Sequence, residues 1–227
     1  MNQSYRLKNG EEITIKRLTA SHLEEIQALQ RKVIGALTIT SFLQPLTTEE
    51  FLIILNGKGL LIGAYSNGQL IAFRAMLAPE LDEEHLGRDA GLAINEWPLV
   101  LYSEITNVDP DFQGNGLQLL LGKVIMDEVD EKRYPYICAT VAPFNIASLK
   151  DKFALGFQIV SLKMKYGDLL RYTMLKDFKR PIAHQHFRES QMVLMENTDE
   201  QQHYFDAKWI GTAIKKDEDQ WFVQFQK

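Results

Sequence analysis

The stretch PLVLYSEITNVDPDFQGNGLQLLLGK, residues 98–123, decides the fold of this 227-residue chain. Its first half is rich in leucine, β-branched and aromatic residues. This composition predicts a strand that ends before Pro110, because proline lacks a backbone N–H. Residues 112–116 (FQGNG) predict a glycine turn, and the leucines that recur at helical spacing from Leu117 onward predict a helix. A strand, a glycine turn and a helix in this order can cradle an anion, since the free N–H groups and the positive helix end converge on one spot. The alternative is a tight connection that binds nothing.

Strands and helices alternate along the rest of the predicted main domain, residues 1–178, and this order indicates a mixed α/β sheet. Asn67 and Gly68, between two apolar segments, are the strongest hairpin signal. The long acidic segment at 78–97 is predicted to be a loop, with room for a helical turn, that forms a lid or a substrate-facing wall, or else a solvated insertion. Further strands are predicted at 12–18, 60–65, 69–77, 136–141, 157–166 and 169–175, and further helices at 22–37, 47–55 and 145–155.

Pro181 marks the predicted boundary to a small C-terminal α+β extension, residues 181–227. A strand at 191–195, a helix near 198–208 and a final hairpin are expected there. The extension is too small to hold a core alone, so its aromatic residues are expected to bury against another surface. That surface is either the main sheet of the same chain or a second subunit, which would make a homodimer.

The composition, with 45% hydrophobic and 24% charged residues, is that of an ordinary soluble globular protein. The net charge of −5 and the lack of a Lys/Arg cluster argue against a nucleic-acid partner. Cys138 is the only cysteine, which excludes an internal disulfide and a multi-cysteine zinc site, and the histidines show no metal-binding arrangement, so no metal is expected. The polar N-terminus and the lack of an apolar run of roughly 18 residues predict a cytoplasmic protein without a membrane segment.

The stretch around the glycine turn resembles the core motif of the GCN5-related N-acetyltransferase (GNAT) family. That motif is Q/R-x-x-G-x-G/A after a strand that ends in V-x-P. Val108, Pro110, Gln113 and Gly116 fit it, whereas Gln118 stands where the family has Gly or Ala.

A second family block, N-x-x-A/S-x-x-L-x-x-x-x-G-F, is matched by Asn145, Ser148 and Gly156-Phe157, with Asp151 at the leucine position. The resemblance covers roughly residues 12–178. It implies the fold, a central mixed and mostly antiparallel sheet flanked by helices. It also implies the reaction, acyl transfer from acetyl-CoA to an amine.

The resemblance further implies the contacts to coenzyme A. The pyrophosphate is expected at the backbone N–H groups of the glycine turn. The pantetheine arm is expected along the end of the strand, where an N–H near Val108 would polarise the thioester oxygen, unless these are ordinary strand residues. Asn145 is expected to contact the coenzyme, to cap its own helix, or both. The predicted coenzyme-binding residues are Thr106, Asn107, Val108, Gln113, Gly114, Asn115, Gly116, Leu117, Gln118 and Asn145.

Two side chains are candidates for the proton transfers of this reaction. Glu104 lies two residues before Thr106, hence on the same face of a strand that is otherwise apolar. It is either the general base that deprotonates the amine or a half-exposed surface residue; some small-amine members of the family carry a glutamate four residues before the motif valine, as here. Lys152 occupies the position of the family's proton-donating tyrosine. It would protonate the departing thiolate, bind the coenzyme's phosphates, or only be solvated. Cys138, in an apolar strand, is interpreted as a core residue rather than an acyl carrier.

The predicted function is acetyl-CoA-dependent N-acetylation of a primary amine by direct transfer. A small-molecule acceptor is favoured because Thr140 stands where the family members that acetylate protein N-termini carry their base. The alternatives are a coenzyme A-binding protein of the same fold with weakened catalysis, and a protein or peptide N-acetyltransferase. The acidic residues between Glu80 and Glu96 predict a cationic acceptor, unless they only keep the loop solvated.

Overall fold

Residues 2–227 are described by a computed structural model, in which antiparallel strands are flanked by helices. This arrangement confirms the predicted mixed α/β class with mostly antiparallel strands. The strands are β1 (Asn2–Arg6), β2 (Glu12–Arg17), β3 (Gly59–Ser66), β4 (Gln69–Leu77), β5 (Val100–Val108), β6 (Tyr136–Val141), β7 (Gln158–Lys165), β8 (Leu169–Asp177), β9 (Ser190–Leu194), β10 (Ile210–Asp217) and β11 (Gln220–Gln226). The helices are α1 (Leu23–Ala36), α2 (Thr48–Ile53), α3 (Leu86–Asp89), α4 (Leu117–Asp127), α5 (Ile146–Ala154) and α6 (Thr198–Asp206).

The chain forms two compact units. The first unit comprises the chain up to Pro79 together with Leu101–Val129, and its strands lie in the order β1-β2-β3-β4-β5, each antiparallel to its neighbour. Apolar side chains of α1 and α2 pack on this sheet in one core that includes Leu29, Phe51 and Ile105. Because Ile105 belongs to β5, this core holds the strand that leads into the glycine turn.

The second unit comprises Glu80–Val100 and Asp130–Lys227, and its strands lie in the order β6-β8-β7-β10-β11-β9. Strand β10 reaches β7 where Gly211 lies opposite Ile159. A Cβ at Gly211 would lie 3.0 Å from the Ile159 Cβ, so the glycine permits this close approach. The C-terminal strands therefore continue this sheet within one chain, and Phe225 at their centre is fully buried.

The N-terminus and the segment at 78–97 contain more structure than the sequence patterns predict. The polar N-terminus forms strand β1, which pairs with β2 from Asn2 opposite Lys16 to Arg6 opposite Glu12. Most of β1 is exposed, so no apolar alternation marks it, and pairing with β2 is what stabilises it. The segment at 78–97 contains the short helix α3 and a 3₁₀ segment that begins at Ile94.

Candidate active site

The glycine turn before α4 has the backbone geometry that an anion cradle needs. Gly114 and Gly116 have φ angles of 78° and 79°, in the left-handed region that favours glycine. Gly116 is the N-cap of α4 and has no side chain to cap the helix. The Leu120 N–H donates to the Gly116 C=O at 3.0 Å, so the N–H groups of residues 117–119 have no acceptor within the helix. These donors and the positive helix end converge at an exposed turn.

Lys8 lies beside this turn, although it is far away in the sequence. Its Cε atom is 3.8 Å from the position that a Cβ on Gly116 would occupy, and the residue is exposed. An ammonium group at this place adds attraction for a phosphate to that of the helix end. The sequence-based predictions do not include Lys8, because only the pairing of β1 with β2 brings it to the turn.

A buried carboxylate fixes the start of the turn. Asp109 is 1% exposed, and its side chain accepts a hydrogen bond from the Asp111 N–H at 3.0 Å. The Lys32 Nζ of α1 lies 2.7 Å from Asp109 Oδ1 and 2.7 Å from Asp111 Oδ2. Hydrogen bonds to these two carboxylates, Asp109 first, raise the pKa of Lys32. Helix α1 therefore anchors the residues that precede the glycines.

We expect Asp109→Ala to lower the free energy of unfolding by about 1–2 kcal/mol, because it removes a buried capping side chain and its ion pair. Urea denaturation monitored by circular dichroism measures this loss. Asp111→Ala is the matched control, since Asp111 contacts the same lysine from a side chain that is 75% exposed. A change of less than about 0.5 kcal/mol is expected for the control. Equal losses for the two variants would contradict the role assigned to Asp109.

Arg74 connects strand β5 to α4. Its side chain is fully buried and lies opposite Thr106 in the β4–β5 pairing. The guanidinium donates to the Gln118 C=O at 3.2 Å and to the Ser103 Oγ at 3.3 Å. The first turn of α4 is thereby held against the strand. Arg74 is absent from the sequence-based predictions, although an arginine within the apolar run QLIAFRAML was a signal for it.

Glu104 lies at a β-bulge. Along β4, Ala75 and Met76 are consecutive, whereas their partners on β5 are Ile105 and Ser103, so Glu104 is the extra residue of β5. A bulge bends the strand and re-aims the side chain of the extra residue. Burial along β5 still alternates from Leu101 to Val108, and Glu104 and Thr106 are both half-buried, as expected for side chains on one face.

Burial raises the pKa of Glu104 to about 7, and repulsion from Glu50 on α2 adds to this effect. The side chain is half-buried, and its carboxylate accepts no hydrogen bond from residues 2–227. A carboxylate with a pKa near neutral pH can exist in both protonation states under physiological conditions. This is the property that a general base for an amine needs.

We expect Glu104→Gln to stabilise the fold at pH 8 by roughly 1–3 kcal/mol, and to have little effect at pH 4. The pKa of Glu104 is raised from 4.5 to about 7, so the native state binds the proton more tightly than the unfolded state does. The free energy of unfolding therefore falls as the pH rises through this interval, and glutamine avoids the cost because it cannot ionise. Urea titrations at several pH values measure the difference. A destabilised variant at pH 8 would show that the carboxylate is held by favourable contacts.

The end of β5 carries the residues predicted to hold the pantetheine arm. Thr106, Asn107 and Val108 pair with Arg74, Phe73 and Ala72 of β4. Asn107 is fully buried, and neither polar atom of its amide has a hydrogen-bond partner among residues 2–227. Buried polar side chains in native proteins are normally hydrogen-bonded, so this amide is an exception within the strand. The role of the three residues in coenzyme binding stays a prediction.

In the second unit, Asn145 caps helix α5, and its Oδ1 accepts from the Ser148 N–H at 3.2 Å. This is the capping role expected for it; the coenzyme contact stays a prediction. Lys152 is buried, with its Nζ 3.5 Å from the Asp151 Oδ2 and 5.7 Å from the centre of the Phe157 ring. The expectation of a merely solvated lysine is therefore wrong, and its role as a proton donor stays a prediction.

The acidic loop is partly neutralised by residues of its own unit. Asp89 lies 2.7 Å from the Nζ of Lys163 and 3.0 Å from that of Lys165, and Glu84 lies 2.9 Å from Lys165. Glu96 accepts a hydrogen bond from a tyrosine hydroxyl at 2.6 Å. Three of the carboxylates that predicted a cationic acceptor are therefore engaged within the protein, which weakens the field they project.

Cys138 is fully buried, and burial raises the pKa of its thiol, as does the nearby Asp89 carboxylate. A thiol in this condition behaves as a core side chain, as interpreted from the sequence. Within residues 2–227, no group of three or more His, Cys, Asp or Glu side chains could hold a metal ion. None of the helices in the same part of the chain is long and apolar enough to cross a membrane.

No model of a known protein family matches the sequence, and no curated protein matches it. The structure, in contrast, matches the ribosomal-protein-S18-alanine N-acetyltransferase from Escherichia coli with a TM-score of 0.55 and 18% identity, covering 77% of this chain and 99% of that one. It matches an acetyltransferase of the GNAT family from Streptococcus pneumoniae with a TM-score of 0.56 and 18% identity, over 73% and 98% of the two chains. The chain has the GNAT fold. A third match is yncA from Salmonella typhimurium, solved with its cofactor acetyl-CoA, with a TM-score of 0.54, 16% identity and coverage of 76% and 98%.

The GNAT fold agrees with the resemblance found around the glycine turn. At these identities the likeness concerns the fold, and the matched proteins do not determine which acceptor this chain uses.

Proposed function

We propose that the protein is an acetyl-CoA-dependent N-acetyltransferase that moves an acetyl group directly to a primary amine of a small molecule. The observation that carries this proposal is Glu104, a half-buried carboxylate at a strand bulge with a pKa of about 7. It lies on the strand that leads into the glycine turn. Base and anion cradle thus belong to one continuous segment of the first unit.

Glu104 serves as the general base. An alkylammonium has a pKa of about 10.4, so it must lose a proton before its nitrogen can attack. Above pH 7 most Glu104 carboxylates are ionised, and they accept this proton directly or through a water molecule. Coenzyme A supplies the acetyl group as a thioester; the new C–N bond forms, and the C–S bond breaks with its electron pair on sulfur.

The remaining groups position the donor and stabilise charge. The glycine turn and Lys8 would hold the pyrophosphate, since both direct positive charge at one exposed place. The N–H near Val108 would polarise the thioester oxygen as it gains negative charge. Lys152 would return a proton to the thiolate, whose thiol has a pKa of about 8.5.

A coenzyme A-binding protein with weak catalysis is the second candidate. It is favoured by a departure from the family pattern: a buried lysine, Lys152, paired with Asp151 at 3.5 Å, stands where the resemblance puts the tyrosine that donates the proton. Coenzyme binding depends on the cradle, whereas turnover depends on Glu104. The two candidates therefore differ in turnover alone.

The small-molecule acceptor is supported by Thr140. This residue has a hydroxyl where the resemblance puts the base of protein N-terminal acetyltransferases, and the hydroxyl lies 3.1 Å from the Tyr166 hydroxyl. A threonine cannot accept a proton from an ammonium at neutral pH. For a peptide acceptor, Glu104 would then have to act as the general base.

The proposal is tested by thiol release from acetyl-CoA with a panel of small amines and short peptides, together with calorimetry of coenzyme A binding. Turnover with small amines, and a kcat/KM that rises with pH around 7, is the expected result. Coenzyme binding without thiol release would identify the second candidate. Turnover with peptides alone would overturn the small-molecule assignment.

A further inference from the structure

Arg74 is a charged residue in the middle of an apolar strand. It belongs to the run QLIAFRAML of β4, and its side chain is fully buried in the first unit. Taking a guanidinium out of water costs free energy, and replacing buried ions by apolar side chains of similar volume is often neutral or stabilising. The stability of the sheet alone therefore does not explain an arginine at this position.

One arm of the guanidinium orients a donor of the anion cradle. Arg74 Nη1 donates to the Gln118 C=O at 3.2 Å. A peptide unit is planar and trans, so the Gln118 C=O and the Leu119 N–H lie in one plane and point in opposite directions. The Leu119 N–H is one of the three at the start of α4 that have no acceptor within the helix. By holding the carbonyl, Arg74 fixes the direction of this donor and polarises it.

The other arm of the guanidinium reaches across the bulge at Glu104. Arg74 lies opposite Thr106, which comes two residues after Glu104. Its Nη2 donates at 3.3 Å to the Oγ of Ser103, the residue just before Glu104. A bulge disrupts the hydrogen-bond ladder between two strands. The Arg74 side chain therefore ties the two sides of this interruption together.

We propose that Arg74 is a positioning residue that holds the anion cradle and Glu104 in place relative to each other. All the groups involved belong to the first unit. The inference rests on the proposed function and adds to it a buried side chain that acts through other residues. A guanidinium suits this role because its planar fork holds two acceptors at fixed positions, whereas the ammonium of lysine is a single point. A displacement of about 1 Å between reacting groups can lower a rate by about 100-fold, so such a tie affects turnover.

The experiment is a double-mutant cycle with Arg74→Met, Ser103→Ala and the two together. Calorimetry gives the Kd for coenzyme A, and thiol release gives kcat. Arg74→Met is expected to weaken coenzyme binding and to lower kcat, each by roughly tenfold, since both ties are lost. Ser103→Ala is expected to keep the Kd and to lower kcat by roughly threefold, since only the tie at the bulge is lost. In the double variant kcat should equal that of Arg74→Met, because the Ser103 hydroxyl acts through the guanidinium.

A role in stability alone would give a different result. Folded Arg74→Met would then have the Kd and kcat of the native protein and a lower thermal midpoint, and this outcome would overturn the inference. Losses of kcat that multiply in the double variant would also overturn it, since they would show that the two residues act independently. Arg17→Met is the control for the loss of one positive charge. Arg17 is an exposed residue of β2 in the same unit, and its variant is expected to keep both values.

Arg74→Lys gives a second variant in case Arg74→Met does not fold. It keeps the buried charge, but one ammonium cannot occupy both ends of the fork. The variant is therefore expected to change the Kd or kcat by roughly threefold or more. Native values of both in Arg74→Lys would overturn the inference and leave the proposed N-acetyltransferase activity standing.

Failure of the proposed activity gives a separate result. If the native protein releases no thiol with any amine, the proposed function fails, and the Kd for coenzyme A then decides the inference. A Kd that is roughly tenfold weaker in Arg74→Met than in Arg17→Met would support the tie to the anion cradle. Equal Kd values in these two variants would overturn it.

Discussion

Glu104→Gln is expected to lower turnover by about 100-fold or more, with the affinity for coenzyme A unchanged. Glutamine has nearly the shape of glutamate but cannot accept a proton, so the amine stays an ammonium ion when it reaches the thioester. The bulge places this side chain outside the regular β4–β5 pairing, and the substitution should leave strand β5 in place. Steady-state thiol release gives turnover, and calorimetry gives the coenzyme affinity.

The pH dependence separates a base from a structural residue. For the native protein, kcat/KM should rise with pH and level off above the Glu104 pKa of about 7. In Glu104→Gln this rise with pH should be absent. Glu50→Gln is the matched control, because Glu50 raises the pKa of Glu104. In this control the rise of kcat/KM should occur at lower pH, and the value that kcat/KM reaches at high pH should be unchanged. The Glu50 side chain also accepts the Thr47 N–H of the α2 capping box, a contact that glutamine can retain. Full turnover and an unchanged pH profile in Glu104→Gln would remove Glu104 from the mechanism.

The strands and helices with strong patterns could be predicted from the sequence. Strand β6 runs over Tyr136–Val141 as expected, since an apolar run between turn signals is a local feature. Helix α4 begins at Leu117, directly after the glycine that the motif requires. Strand β1 could not be predicted, because an exposed edge strand buries little and its pairing partner lies beyond a turn.

The candidate site was predictable only where it lies within one continuous segment. The glycine turn and Glu104 are close in sequence to the strand and helix that position them. Lys8, in the turn after β1, and Arg74, on β4, reach the glycine turn or its helix from distant parts of the chain. A single sequence does not reveal how such distant strands pair. The bulge at Glu104 is likewise a property of strand pairing.

Gly116→Val is expected to weaken coenzyme A binding at least tenfold, or about 1.4 kcal/mol. Gly116 has a φ of 79°, a conformation that strongly disfavours a β-branched side chain. Valine would therefore shift the turn away from the geometry in which the free N–H groups of α4 converge. Its side chain would also occupy the space between the turn and Lys8, where a Cβ would already lie 3.8 Å from the lysine Cε.

Calorimetry with coenzyme A measures the loss, and circular dichroism checks that the variant is folded. Gly57→Val is the matched control, since Gly57 also has a positive φ, 104°, with no atom near its missing Cβ. It lies just before β3, and Gly59 pairs with Leu77 at the end of β4 away from Val108. The control therefore introduces the same kind of backbone strain without touching the cradle, and its coenzyme affinity should match that of the native protein. If Gly116→Val folds and binds coenzyme A as tightly as this control does, the phosphates bind elsewhere on the protein.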